Sequence, residues 1–145
     1  MNCIIRPATE DDILSLATLM VELGYATTAE DMRLRYHAVA AHPDYATWVA
    51  VCDGHVAGMI GLIKLLYYEM NGCYIRIASL VIGSEYRQKG IGTLLVQKAE
   101  EWAAETGAKQ VLVNSGNREE RKPAHAFYQH LGFEPKTTGF VKTIK

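Results

Sequence analysis

A mixed α/β fold, in which a central sheet is flanked by helices, is the class this chain predicts, and two features of the sequence predict it. Asp53-Gly54 separates two apolar runs, 47–52 and 55–63, and an Asp-Gly pair tolerates the positive φ values of a two-residue hairpin turn. A third apolar run, 74–82, passes through a glycine turn into a helical pattern that ends at Gly107, followed by Val111-Leu112-Val113. Strand, helix and strand in that order make a parallel pair with a right-handed crossover. The sheet is therefore antiparallel at its start and contains one parallel connection.

Taken in order, Cys3-Ile4-Ile5-Arg6 reads as a first strand closed by Pro7. Thr9 with Asp12 three residues later resembles a capping box, although Glu or Gln is usual at the second position. The helix it opens carries Ile13, Leu16, Leu19, Met20 and Leu23 on one face, and Gly24 ends it. Thr28 and Asp31 repeat the device for a second helix through Met32, Leu34, Tyr36 and Val39, which His42-Pro43 stops. In the second hairpin strand Gly58 and Gly61 point to a bulge. The strand 74–82 is apolar on both faces, as expected of a strand covered by helices. Ile91, Leu94, Leu95, Ala99, Trp102 and Ala103 recur at helical spacing. A last helix starts near Pro123 and ends at Gly132, and Phe140-Val141-Lys142-Thr143-Ile144 reads as a closing strand.

The 145 residues suffice for one domain with a proper core, here expected to span 1–145. With 49% hydrophobic and 21% charged residues the chain is globular rather than disordered. A formal net charge of -1 supplies no general field for nucleic acid or anionic lipid, so neither is expected as a partner. No run reaches the roughly 18 apolar residues of a membrane helix, and the N-terminus lacks a secretory pattern, so a cytoplasmic location is expected. Cys3, Cys52 and Cys73 are widely spaced, indicate neither a zinc site nor a disulfide framework, and read as small buried apolar residues. His37, His42, His55, His125 and His130 form no ligand-spaced cluster, so no metal is expected.

The stretch 80–95 carries the chemistry. Gly90 and Gly92 let the backbone approach a ligand closely, and a helix starting near Ile91 offers unpaired N–H groups and the positive pole of its dipole. Arg87 and Lys89 add two full charges beside that backbone. The combination suits a phosphorylated cofactor. It is neither a P-loop, since no Lys-Ser or Lys-Thr follows a glycine at the required spacing, nor a dinucleotide fingerprint, whose third glycine would fall at Leu95. Open sheets of this kind also take ligands beyond the C-terminal ends of their parallel strands, which points independently to 81–92 and to the segment after Ser115.

Arg87-Gln88-Lys89-Gly90-Ile91-Gly92, preceded by Leu80-Val81 and followed by Leu94-Leu95, resembles the acyl-CoA-binding motif of GNAT N-acetyltransferases. The downstream Ala124-His125-Ala126-Phe127-Tyr128-Gln129-His130-Leu131-Gly132-Phe133 is similar to that family's second signature. The resemblance spans nearly the whole chain and implies the GNAT acyl-CoA N-acyltransferase fold. It also implies acetyl-CoA as cosubstrate and acetyl transfer to a primary amine by direct attack on the thioester. A small-molecule amine is the leading acceptor. Protein N-termini or lysines are the alternative, as is a non-catalytic acyl-CoA-binding module. Homodimers are common in the family, and an exposed C-terminal strand would support one here.

By the same resemblance, Leu80, Val81, Ile82, Arg87, Gln88, Lys89, Gly90, Ile91, Gly92 and Thr93 line the cofactor, and a backbone N–H near Val81 is the donor to the carbonyl oxygen. Tyr128 matches the tyrosine that protonates the departing sulfur. The Asn-x-x-Ala that often precedes the tyrosine helix is replaced, since Arg121 stands three residues before Ala124; Asn117 is four residues too early to be assigned that contact, and neither it nor Ser115 is assigned. An alkylamine with a pKa of about 10.4 is neutral in roughly one molecule in 2500 at pH 7, a deficit of about 4.6 kcal/mol, so a proton acceptor is required. Glu69, among Tyr67, Tyr68 and Tyr74, is the candidate for that base or for an amine-binding carboxylate.

Overall fold

The computed structural model describes residues 1–114, 122–137 and 139–144, with the backbone alone at Lys122. The expectations at Ser115, Asn117 and Arg121 lie outside the described residues. The chain forms two compact units, Met1–Leu112 and Val113–Lys145. A five-stranded sheet runs in the order β1 (Cys3–Pro7), β2 (Tyr45–Cys52), β3 (His55–Leu66), β4 (Cys73–Ile82) and β5 (Val111–Val113). The first four strands pair antiparallel. Lys109 N–H donates to Cys73 O and Ile75 N–H to Gln110 O, each at 2.9 Å, so the bonds advance together along both segments and the sheet becomes mixed. Flanking helices are α1 (Ile13–Leu23), α2 (Ala29–Ala40) and α3 (Ile91–Thr106) in the first unit and α4 (Lys122–His130) in the second. Among the described residues no helix is long and apolar enough to cross a membrane.

Local chemistry sets most boundaries. Thr28 Oγ1 accepts the Asp31 N–H at 3.1 Å and starts α2. Asp53 and Gly54 take φ values of 51° and 84°, the geometry that returns β2 into β3. Gly24 and Gly107, at φ 107° and 75°, close α1 and α3 in the left-handed region. Leu16 and Leu19 of α1 pack on Val49, Met59 and Val81 of one sheet face. On the other face α3 buries Ile91, Leu95, Val96, Ala99 and Ala103. A Cβ on Gly58 would stand 2.8 Å from Val81 O, 2.9 Å from Ile82 Cδ1 and 3.4 Å from Leu95 Cδ1, so this position must be glycine for β4 and α3 to lie as they do.

The bulge expected in the second hairpin strand is present, and a second one lies in the next strand. Between β2 and β3 the register shifts beside Gly58, leaving Ala57 as the extra residue. Between β3 and β4, Gly61 faces Ser79 and Leu62 faces Ile77, so Ala78 is extra in β4. That single insertion inverts the alternation of β4. Cys73, Ile75 and Ile77 are buried while Arg76 and Ala78 are exposed, and only after the bulge does Val81 turn into the α1 face. The expectation that both faces of β4 are covered therefore fails for its first half.

Three other expectations need correction. Cys3 and Cys52 are joined by a disulfide, because they are directly opposite in the β1–β2 register; a separation of 49 residues gave no hint of it. Only Cys73 is a free buried thiol. Residues 139–144 are not a strand, and Phe140, Val141 and Ile144 are exposed, so the edge expected to support a homodimer is not formed there. Leu23 and Leu94, placed on apolar faces by their spacing, are exposed.

The entry into α1 is fixed by a buried ion pair. Asp12 is 3% exposed; it accepts Nη1 and Nη2 of Arg6 at 2.7 and 2.9 Å and the Thr9 N–H at 2.8 Å. The hydrogen bonds from Arg6 hold the Asp12 carboxyl below its usual pKa against the opposing effect of burial. Complete burial of such a pair would make its loss cost ~3–5 kcal/mol, but Arg6 is partly exposed, so Asp12→Asn is expected to destabilise by about 2 kcal/mol near pH 7. Because the native pKa is depressed, this contribution is full above the ordinary carboxylate range and is lost as pH falls through the native value. Urea unfolding from about pH 7 to about pH 2 should show the gap between wild type and variant closing.

Candidate active site

β4 ends at Ile82, and Gly83 docks the chain by donating its N–H to Ala57 O at 2.8 Å. A single 3₁₀ turn, Ser84–Tyr86, follows. Arg87 is extended, Gln88 has φ 62°, and Gly90 has φ 81° as the N-cap of α3. A positive φ at a residue with a Cβ costs ~1–2 kcal/mol, and such strain gathers at functional sites. Left-handed residues thus stand on either side of Lys89, and turns with such residues are where main-chain N–H groups commonly receive anions.

The start of α3 is open. Its first intrahelical bond recorded from Gly90 runs from Leu94 N–H to Gly90 O at 3.2 Å, so the N–H groups of Ile91, Gly92 and Thr93 precede the ladder. Gly90 as N-cap has no side chain to cap them, and among the described residues no acid occupies the first turn, where the dipole would favour one. Arg87 and Lys89 stand exposed beside these donors. A helix end without an N-cap side chain, two cations beside it and no acid in the first turn of α3 fit a diphosphate.

β4 supplies the other part of the site. Val81 is buried opposite Met59, and Leu80 and Ile82 stand opposite Ile60 and Gly58. β5 has three residues and its bonds begin at the start of β4; beyond it no strand pairs with the outer edge of β4 among the described residues. Among the described residues the last residues of β4 therefore have no partner strand on that side, and Ile82 O there accepts from Arg87 Nε at 3.4 Å.

Tyr128 belongs to the second unit. It is 9% exposed, and its ring meets Phe127 and Phe133 edge-on at centroid distances of 5.3 and 5.6 Å. Phe133 N–H donates to Tyr128 O at 3.0 Å, and Gly132 N–H to Gln129 O at 3.0 Å, around a Gly132 at φ 94°. This is a Schellman cap with its apolar contact, and it explains why a Gly-Phe pair follows the tyrosine: the pair orients the ring.

Glu69 is exposed in the loop between β3 and β4. Neighbouring Tyr67 packs on Tyr74 at 4.8 Å and donates to Gln110 Oε1 at 2.9 Å. Burial, then the charge of Glu69, push the Tyr67 phenol up. This loop precedes β4 whereas the glycine turn follows it, and ten residues of strand span about 30 Å, so the two are not brought together. Two residues that sequence reasoning missed do join the turn: Ser84, and Glu22 from α1. Among the described residues no three His, Cys, Asp or Glu side chains gather as a metal site.

Residues 13–133 match the Acetyltransferase (GNAT) family. The aminoalkylphosphonate N-acetyltransferase of Salmonella typhimurium is 29% identical over 143 residues, 98% of this chain and 92% of that one. An uncharacterized N-acetyltransferase of Bacillus subtilis, YhdJ, is 36% identical over 127 residues, 87% of each chain. The crystal structure of a GNAT family acetyltransferase from Staphylococcus aureus, 31% identical, superposes with a TM-score of 0.85 over 99% of this chain and all of the other. The chain belongs to the GNAT acetyltransferase family, and it is an acetyl-CoA-dependent N-acetyltransferase.

A carboxylate placed in the open first turn of α3 should separate helix stability from anion binding. Thr93→Asp is expected to leave the melting temperature unchanged or raised, because the dipole favours an acid there, while weakening coenzyme A at least about tenfold. Melting and calorimetric titration on the same sample check both.

Proposed function

We propose that the chain transfers an acetyl group from acetyl-CoA to the primary amine of a small molecule by direct attack on the thioester. The observation that carries this reading is the uncapped N-terminus of α3 behind the left-handed Gln88 and Gly90. Main-chain amides of residues 88–93, with Arg87 and Lys89, hold the diphosphate, and Leu80, Val81 and Ile82 run beside the pantetheine. A backbone N–H near Val81 stabilises the charge that develops on the carbonyl oxygen. A nitrogen–carbon bond forms, the carbon–sulfur bond breaks, the amine loses a proton, and Tyr128 protonates the sulfur.

From reference values of about 10 for a phenol and about 8.5 for a thiol, that last transfer is uphill by roughly 2 kcal/mol in water. Poor solvation of the thiolate in the site lessens the mismatch. We assign Glu69 to the acceptor amine rather than to the reacting atoms, because its loop lies at the far end of β4 from the turn. The reaction draws on no metal, residues 1–145 act as one N-acetyltransferase domain, and the setting is cytoplasmic. The Salmonella relative named for aminoalkylphosphonates makes small amines that carry an acidic group the first acceptors to try.

Free-thiol release with a panel of aminoalkylphosphonates, aminoglycosides and lysine peptides tests the reading. Release with small amines is expected. A melting shift with acetyl-CoA but no thiol from any amine would reduce the protein to a binder, and release with peptides alone would move the acceptor class. Tyr128→Phe should slow turnover at least about tenfold with little change in acetyl-CoA affinity. Glu69→Gln should raise the KM of the amine severalfold with kcat nearly unchanged; an unaltered KM removes Glu69 from acceptor binding.

A further inference from the structure

A carboxylate near a helix C-terminus opposes the macrodipole, whose negative pole lies there. Glu22 nevertheless stands in the last turn of α1, two residues before Gly24. What it touches accounts for the position. Its Oε1 accepts the Ser84 hydroxyl at 3.0 Å, and its Oε2 lies 3.6 Å from Nη2 of Arg87. Both partners belong to the short segment that joins β4 to α3. Arg87 Nε also donates to Ile82 O at 3.4 Å, so the guanidinium is held from two sides while Nη1 has no partner among the described residues.

We infer that Glu22 is a positioning residue of the diphosphate turn: by holding Ser84 and Arg87 with its two oxygens it fixes the 3₁₀ turn to α1 and aims Arg87 at the anion. This rests on the reading of that turn as the seat of the coenzyme A diphosphate. Arg87 is long and more than half exposed, and ordering it in advance spares the ligand that entropy. The guanidinium fork has enough donors to face Glu22 and a phosphate together. Beside Arg87 the Glu22 charge is compensated, which leaves Lys89 and the helix end to supply the net attraction.

Calorimetric titration of coenzyme A into wild type, Glu22→Ala, Glu22→Gln, Arg87→Ala and the Glu22→Ala/Arg87→Ala double variant tests this. Kd should rise at least about fivefold in Glu22→Ala and less in Glu22→Gln, which keeps an acceptor for Ser84. The double variant should match Arg87→Ala within about twofold, since Glu22 acts through Arg87, whereas a loss of fold would add to it. The KM for acetyl-CoA should rise in Glu22→Ala with kcat nearly unchanged. Should Glu22→Ala be too unstable to assay, Glu22→Gln and Ser84→Ala carry the same comparison. Unchanged or tighter binding in Glu22→Ala, or additive losses in the double variant, overturns the role of Glu22. A wild type that takes up no coenzyme A overturns the diphosphate seat itself.

Discussion

The passage of the chain from β4 into α3 constrains everything else in the first unit. Main-chain amides can serve as an anion site only if their helix starts in the open and is held rigidly from behind. The opening comes from Gly90, which caps α3 with no side chain, and from a first turn without acids. The rigidity comes from the core: Ile91 and Leu95 are fully buried, and the missing Cβ of Gly58 lets α3 and β4 settle onto β3. The Ala78 bulge then sets which way the end of β4 faces, turning Val81 inward against Leu16, Leu19 and Met59.

Left-handed glycines do opposite work at the two kinds of helix end. At Gly24, Gly107 and Gly132 they close C-termini, so that later N–H groups return to orphan carbonyls. At Gly90 the same backbone conformation begins a helix without a side-chain cap for its first N–H groups. The first use is structural and explains where α1, α3 and α4 stop. The second leaves donors to a ligand. In α4 the cap at Gly132 also lays Phe133 against the ring of Tyr128, the residue proposed to protonate the sulfur.

What could be read from the sequence follows this division between local and distant causes. Thr28, Asp53-Gly54, Gly24, Gly107 and the glycine turn act on their immediate neighbours, and their elements lie where periodicity and turn chemistry put them. The Cys3–Cys52 bond depends on strand register, the inverted faces of β4 on one bulged residue, and the role of Glu22 on α1 returning to the end of β4. None of these is a property of spacing along the chain. Glu22 alone left a trace, as an acid at the wrong end of a helix. Leu23 and Leu94 fit an apolar period yet face solvent, because a period marks a stripe without its width. The run 140–144 has strand composition, but composition supplies no neighbouring strand.

Backbone amide chemical shifts of the isotopically labelled protein, followed as coenzyme A is added, test the central claim most directly. We expect the largest saturable changes at the N–H groups of Gln88, Lys89, Gly90, Ile91, Gly92 and Thr93, with smaller ones along the end of β4. Saturation that leaves those six amides unmoved, with the changes elsewhere, would contradict a diphosphate held by the open end of α3.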